Sequence, residues 1–267
     1  MWLDELFAGR KVVIGMVHLK ALPGTPLYDE TAGMEAILKA AEHDLDALQE
    51  GGIDGVMFCN ENDRPYVLTA GSATVAAMSA VVGALKSRIN VPFGVDILWD
   101  PQATISIACA TGAAFAREVF TGTYASDMGI WSPDAGATLR HRKSIGASGV
   151  RLLFNINAEF AAPLGSRPLA EVARSVVFGS LPDALCVSGS MTGREADLFA
   201  IEQVKHVAGS VPVFANTGVR ADNVEKYLSV ADGAIVGTAL KVDGVTWNPV
   251  DVSRVRVLMD AARRSRC

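Results

Sequence analysis

Residues 12–59 read VVIGMVHLKALPGTPLYDETAGMEAILKAAEHDLDALQEGGIDGVMFC, and they contain one complete structural unit. A short run of Val, Ile and Met opens the segment, as expected of a buried strand. Ile37, Leu38, Ala41, Leu45 and Leu48 then recur at helical spacing, which gives the helix one apolar face. Gly51 and Gly52 stop that helix, and a second β-rich run, IDGVMFC, begins immediately. A helix between two strands returns the chain to the same end of the sheet, so the two strands are predicted to be parallel.

The same alternation continues to the end of the chain. Further strand candidates are PFGVDIL from Pro92, FAREVF from Phe115, VRLLFN from Val150, ALCVS from Ala184, PVFAN from Pro212 and GAIVG from Gly233. Eight strand–helix pairs in 267 residues predict a (β/α)8 TIM barrel, read as a single domain because no linker or composition break divides the chain. An open nucleotide-binding sheet has less support. No Gly-x-Gly-x-x-Gly follows the first strand, and no Walker sequence occurs.

A barrel carries its chemistry on the loops that follow its strands, and here those loops are the long ones. They are LKALPGTPLYDE, NENDRPYVLTAG, TGTYASDMGIWSPD and NINAEFAAPLGSRP, after the first, second, fourth and fifth strands. A substrate site beneath them is the expectation; an oligomer interface built from the same loops is the alternative, and a homo-oligomer is compatible with either. The net charge of −5 and the lack of a dense basic stripe argue against nucleic acid. Arg263, Arg264 and Arg266 read as a solvated helix end. No stretch is apolar for long enough to span a membrane, and Asp4 and Glu5 stand where a secretory signal would be basic, so a cytoplasmic location is expected. Cys59, Cys109, Cys186 and Cys267 form no C-x-x-C pair and read as reduced thiols rather than metal ligands.

Two glycine-bearing turns point to a phosphate. Asn216-Thr217-Gly218-Val219 follows the seventh strand and Gly237-Thr238-Ala239 the eighth, where barrels of the phosphate-binding type hold that group on backbone N–H groups and the start of a short helix. Gly218, Val219, Gly237 and Thr238 are therefore the expected phosphate site of a phosphorylated small-molecule ligand. Both glycines could instead serve only tight turns.

Acid and base candidates come from strand ends facing the barrel mouth. They are His18, Glu61, Asp96, Glu118 and Asp127, with Asn60, Asn155, Asn157, Ser188 and Asn216 as substrate-binding candidates. Asp96 and Glu118 lie in apolar strands, so each is either functional or paired, with Arg117 or Arg151 as the partner of Asp96. His18 is either a structural group or a catalyst. Asp127 reads equally as a solvated or capping residue. A magnesium ion on Asp96, Glu118 or Asp127 is a further option, although the His-rich spacing of catalytic zinc hydrolases is missing. Lys241 lies beyond the Gly237-Thr238 turn, outside the usual Schiff-base position.

The chain resembles the BtpA/SgcQ family through GMVHLKALPG at Gly15, TGTYASDMGIW at Thr121, PLG at Pro163, SGSMTG at Ser188, ADGAIVGTALKVDG and NPVD. FCNENDRPY, PFGVDILWDP, VRLLFNINAE and PDALCVSG look like its SgcQ branch. In the BtpA branch an acidic residue typically stands where this chain has Cys59, and basic residues are common where it has Glu159-Phe160. The resemblance implies a phosphate-binding barrel. It also implies one of two roles: carbohydrate or sugar-phosphate metabolism, including nucleosidase chemistry, or non-enzymatic assembly of a photosystem or membrane complex. The residues themselves allow isomerase or lyase chemistry, since a carboxylate such as Asp96 or Glu118 could move a proton next to a carbonyl. For the second role Trp99, Trp131 and Trp247 are candidates for an exposed apolar patch; they could equally wall a sugar site.

Overall fold

The structure is a computed structural model that describes residues 2–8 and 11–266. Eight parallel strands close into a barrel: β1 (Val12–His18), β2 (Gly55–Cys59), β3 (Phe93–Asp96), β4 (Phe115–Glu118), β5 (Arg151–Asn155), β6 (Ala184–Val187), β7 (Val213–Ala215) and β8 (Gly233–Val236). Each strand pairs with its sequence neighbours, and β8 returns to β1 through Val12↔Gly233 and Gly15↔Val236. The predicted (β/α)8 barrel is thus the observed fold.

Helices α2 (Gly33–Glu50), α3 (Ser72–Leu85), α4 (Pro101–Thr111), α5 (Ala135–Ser144), α6 (Leu169–Ser180), α7 (Leu198–Val207), α8 (Val224–Val230) and α9 (Val252–Arg264) follow the strands in turn. Ile37, Ala41, Leu45 and Leu48 bury their side chains as their spacing requires. Asp100, Asp134, Asp197 and Asp251 accept backbone N–H bonds at the starts of α4, α5, α7 and α9, satisfying donors that those helices cannot. Arg263 and Arg264 lie in the last turn of α9, where Arg264 pairs with Glu225, and Arg266 just beyond pairs with Asp54. Cys59 and Cys186 are buried free thiols, Cys109 is an exposed one, and Cys267 lies outside the described residues.

Two additions have no counterpart in the predicted strand–helix pairs. Helix α1 (Trp2–Phe7) closes the N-terminal end of the barrel, with Trp2, Leu3 and Phe7 packed on its interior residues. Trp2 Nε1 donates to the Asp183 carbonyl at 2.8 Å, and the Phe7 and Phe115 rings lie 6.4 Å apart. At the opposite end the long loops after β4 and β5 form an antiparallel sheet of three short strands, Tyr124–Ser126, Gly129–Trp131 and Ala161–Pro163.

Strand alternation divides the core. Val13 and Val17 face the helices, whereas Val12, Ile14, Met16, Met57, Phe115, Leu153, Cys186, Phe214 and Ile235 fill the barrel. Gly94 makes room for Phe115: a Cβ there would lie 2.2 Å from the ring and 2.8 Å from the Phe115 carbonyl oxygen. Gly94→Ala is therefore expected to cost about 1–3 kcal/mol through overpacking, read as a lower midpoint in urea-induced unfolding.

Candidate functional site

The next inward layer toward the C-terminal ends of the strands is polar. Alternation places His18, Asp96, Arg117, Asn155, Ser188 and Asn216 there, at or just past the ends of their strands. Above them opens a cavity of about 670 Å³. Met16 and Ile235 line it at depth; His18, Glu61, Trp99, Arg117, Glu159 and Asn216 surround the mouth. Thr192 and Gly193 after β6, residues 217–222 after β7 and Gly237, Thr238 and Ala239 after β8 complete the wall toward α8 and α9.

Arg117 organises the mouth. Its Nε and Nη2 donate to Asp96 Oδ2 at 2.8 and 2.6 Å, and its Nη1 donates to Asn216 Oδ1 at 2.7 Å. The Asn216 amide then donates to Ser188 Oγ at 2.7 Å and to Glu159 Oε1 at 3.1 Å. Ser188 Oγ donates to Asn155 Oδ1 at 3.0 Å, and the Asn155 amide reaches Glu159 Oε2 at 2.6 Å. These bonds tie β3, β4, β5, β6 and β7 together across the mouth.

The acids fall into two groups. Glu61 lines the cavity, with Oε1 accepting bonds from Thr192 Oγ1 at 2.8 Å and Tyr66 Oη at 3.3 Å. Burial pushes its carboxyl above the usual range despite the Thr192 bond. Asp96 and Glu118 are fully buried, do not line the cavity, and each leaves one carboxyl oxygen without a hydrogen bond. Burial raises Asp96 to about 6 even beside Arg117. Burial, and then the charge of Asp96, push Glu118 well above its ordinary value. His18 lines the cavity beside Gly237, and burial and the nearby Lys241 ammonium push it well below its ordinary value, so its imidazole is neutral.

Of the predicted acids and bases, then, the cavity wall gathers His18 and Glu61. The partner of Asp96 is Arg117; Arg151 instead reaches Asp183 at 3.3 Å, beside the floor helix α1. Glu118 has the opposite strand parity to Arg117, and its Oε2 accepts from the Val119 N–H at 2.6 Å. Asp127 is exposed on the turn between two of the short strands. The trio offered for magnesium does not converge: among the described residues no three His, Cys, Asp or Glu side chains are placed to hold a metal ion. Among the substrate-binding candidates, Asn216 lines the cavity. Asn60 instead accepts from the Leu98 N–H at 2.7 Å, and Asn157 bonds both the N–H and the carbonyl of Ser188, at 2.8 and 2.6 Å. Lys241 is buried and paired with Asp44 of α2, away from the cavity wall.

Gly218, Val219, Gly237 and Thr238 all line the cavity. Among the described residues the N–H groups of Gly218, Val219 and Thr238 donate to no protein acceptor. The short helix after β8 is a single turn, Thr238–Leu240, so the cradle consists of individual N–H groups rather than a helix dipole. Gly218 has φ +68° and would place a Cβ 2.4 Å from the Glu195 backbone. Arg117, Glu159, Thr192, Arg220 and Arg254 also reach the wall but were not among the site candidates, and Trp99, offered as a possible wall of a sugar site, lines it too; Glu159 was visible only as part of a two-residue repeat with Asn155 and Asn157. Trp99 and Trp131 are buried, with ring centroids 5.2 Å apart, so they provide no exposed patch. Trp247 is partly exposed and carries the Arg64 guanidinium 3.7 Å above its ring.

Comparison with known proteins gives a BtpA family model matching residues 9–264. The sgc region protein SgcQ of Escherichia coli is 48% identical over 265 residues, covering 99% of each chain. The photosystem I biogenesis protein BtpA of Synechocystis is 31% identical over 264 residues, covering 98% of this chain and 91% of its own. Among solved structures, N-(5'-phosphoribosyl)anthranilate isomerase from Pyrococcus furiosus shares the fold, with a TM-score of 0.57 at 14% identity over 95% of this chain and 98% of its own. Among the described residues no helix is long and apolar enough to cross a membrane.

The buried Asp96 gives the site a pH signature. Its carboxyl holds a proton up to about pH 6 in the fold, whereas an unfolded aspartate releases it near ~3.9. Its contribution to stability is therefore present below the unfolded value and is lost as pH rises through 6. Asp96→Asn is expected to flatten the decline in stability between about pH 4 and 6, by up to about 1.4 kcal/mol per pH unit, in urea unfolding at stepped pH. An unchanged slope contradicts the assignment.

Proposed function

The chain belongs to the BtpA family, and from its cavity we propose an enzyme that binds a phosphorylated sugar and moves a proton on it. One observation carries this reading: a single cavity joins a buried carboxyl, Glu61, to a set of backbone N–H groups without protein acceptors at Gly218, Val219 and Thr238. Phosphate oxygens would satisfy those donors and place the sugar toward the barrel axis. Glu61 is the proposed proton-transfer group, since it is the carboxyl that lines the cavity beside Arg117 and burial raises its affinity for a proton. Arg117, held in orientation by Asp96, supplies a fixed positive charge for an oxyanion that forms when a proton leaves the carbon next to a carbonyl. Neutral His18 is placed to donate or accept a hydrogen bond at the same end of the cavity. Isomerase or lyase chemistry follows from these roles. Schiff-base chemistry has no support, because Lys241 is engaged with Asp44.

Of the three tryptophans that an assembly factor would dock through, Trp99 and Trp131 are buried and Trp247 alone is exposed, under the Arg64 guanidinium, which favours this reading over that one. Thermal unfolding in the presence of sugar phosphates and their unphosphorylated counterparts provides the test. A phosphorylated ligand at a hundred times its Kd stabilises the fold by about 2.7 kcal/mol, a rise of several degrees, while the free sugar leaves the midpoint in place. Glu61→Gln is expected to keep that shift and lose at least about a hundredfold in kcat. Shifts confined to unphosphorylated nucleosides would replace the reading with a nucleosidase.

A further inference from the structure

The cavity does not end at the N–H cradle. It continues outward along α9 and the approach to α8, where Ala221, Ser253, Arg254 and Val257 line it. Barrel topology fixes this order: strand-end side chains stand nearest the axis, the loops after β7 and β8 come next, and the helices lie outside them. The cradle therefore sits partway along the cavity. A phosphate monoester seated on it would fill the inner portion and leave the outer wall facing water.

Arg254 differs from the other two arginines of the wall. Arg117 is engaged by Asp96, and Arg220 by Glu195 and Asp222 at 2.6 and 3.2 Å. Arg254 has no carboxylate within ion-pair distance among the described residues. Its side chain makes one hydrogen bond there, from Nη1 to the Ala239 carbonyl at 3.2 Å, one residue beyond Thr238 of the cradle. A guanidinium has five N–H donors in a planar fork that matches phosphoryl oxygens. Here the backbone holds that fork in the cavity wall, next to the cradle; Asp251 at the start of α9 feels its charge but forms no ion pair with it.

We infer that the cradle and Arg254 form two adjacent phosphoryl subsites, so the ligand is a sugar joined through a diphosphate to a nucleoside. The sugar points inward to Glu61, one phosphoryl rests on the N–H groups, and the other meets Arg254. The nucleoside lies outward, with the guanidinium face and the exposed Val257 side chain beside its ring. This assignment rests on the phosphate reading above and adds the second subsite to it.

Isothermal titration with UDP-glucose and ADP-ribose, against glucose 1-phosphate and ribose 5-phosphate, tests it. At least one diphosphate-linked probe is expected to bind tenfold or more tighter than its monophosphate. Arg254→Met should weaken that probe at least tenfold and change the monophosphate less than threefold. Val257→Glu, at a 59% exposed position where folding is not at stake, should likewise weaken only the diphosphate-linked probe. Equal affinity for the two classes, or parallel loss of both in Arg254→Met, overturns the second subsite alone. Monophosphates that bind while neither diphosphate-linked probe does also overturn it. Failure of all four probes to bind the unmodified protein removes the phosphate reading and the second subsite together.

Discussion

The arrangement of the barrel mouth depends on the direction of the hydrogen bonds that Arg117 makes. A guanidinium can only donate, so the atom of Asn216 that faces it must be the carbonyl oxygen. That fixes the Asn216 amide toward Ser188 and Glu159. Ser188 Oγ, accepting from Asn216, gives its own proton to Asn155 Oδ1, which turns the Asn155 amide to Glu159. One charged group therefore sets the orientation of four neighbours on three other strands and their loops. Asp96 compensates for the burial of that charge, as a guanidinium in an apolar barrel would otherwise cost several kcal/mol in lost hydration.

The cavity combines this rigid side with a wall made of backbone. At the mouth, side chains present directed polar atoms whose positions are fixed from several strands. At the cradle, the donors belong to the chain itself at turns that only small residues can make, as the close approach of Gly218 to Glu195 requires. Trp99 lines the cavity as one of a cluster of aromatic rings with Tyr66, Trp131 and Phe160, their centroids 5.2 to 6.5 Å apart in their contacts. Such walls exclude water from the polar groups beside them and strengthen their fields.

The periodic features of the fold were legible in the sequence. Eight apolar runs and the helical face of Ile37, Ala41, Leu45 and Leu48 specify strand and helix directly, and the glycine turns after β7 and β8 mark one wall of the cavity. Less legible were features that depend on contacts between distant segments. Tyr124–Ser126 pairs with Ala161–Pro163, but three-residue strands carry too little period to be seen alone. Asp96 and Glu118 looked like site acids because a charge in an apolar strand demands a reason; parity and the position of Arg117 supply one away from the cavity. Asn60 and Asn157 were plausible ligand donors by residue type, yet each is committed to a backbone group. Arg254 was hidden because a helix residue shows no sign of facing a cavity until its neighbours are placed.

Helix α1 has an implication for the order in which the barrel is completed. Trp2 bonds to the carbonyl of Asp183, 181 residues further along the chain, and Phe7 packs on Phe115. During synthesis the first helix emerges long before its seat exists, because the strands that frame the barrel floor are made later. Such long-range closure is slow to form relative to local strand–helix units. Helix α1, made before every strand it packs on, is thus among the last elements to dock, and the floor of the barrel closes only after Asp183 has been made.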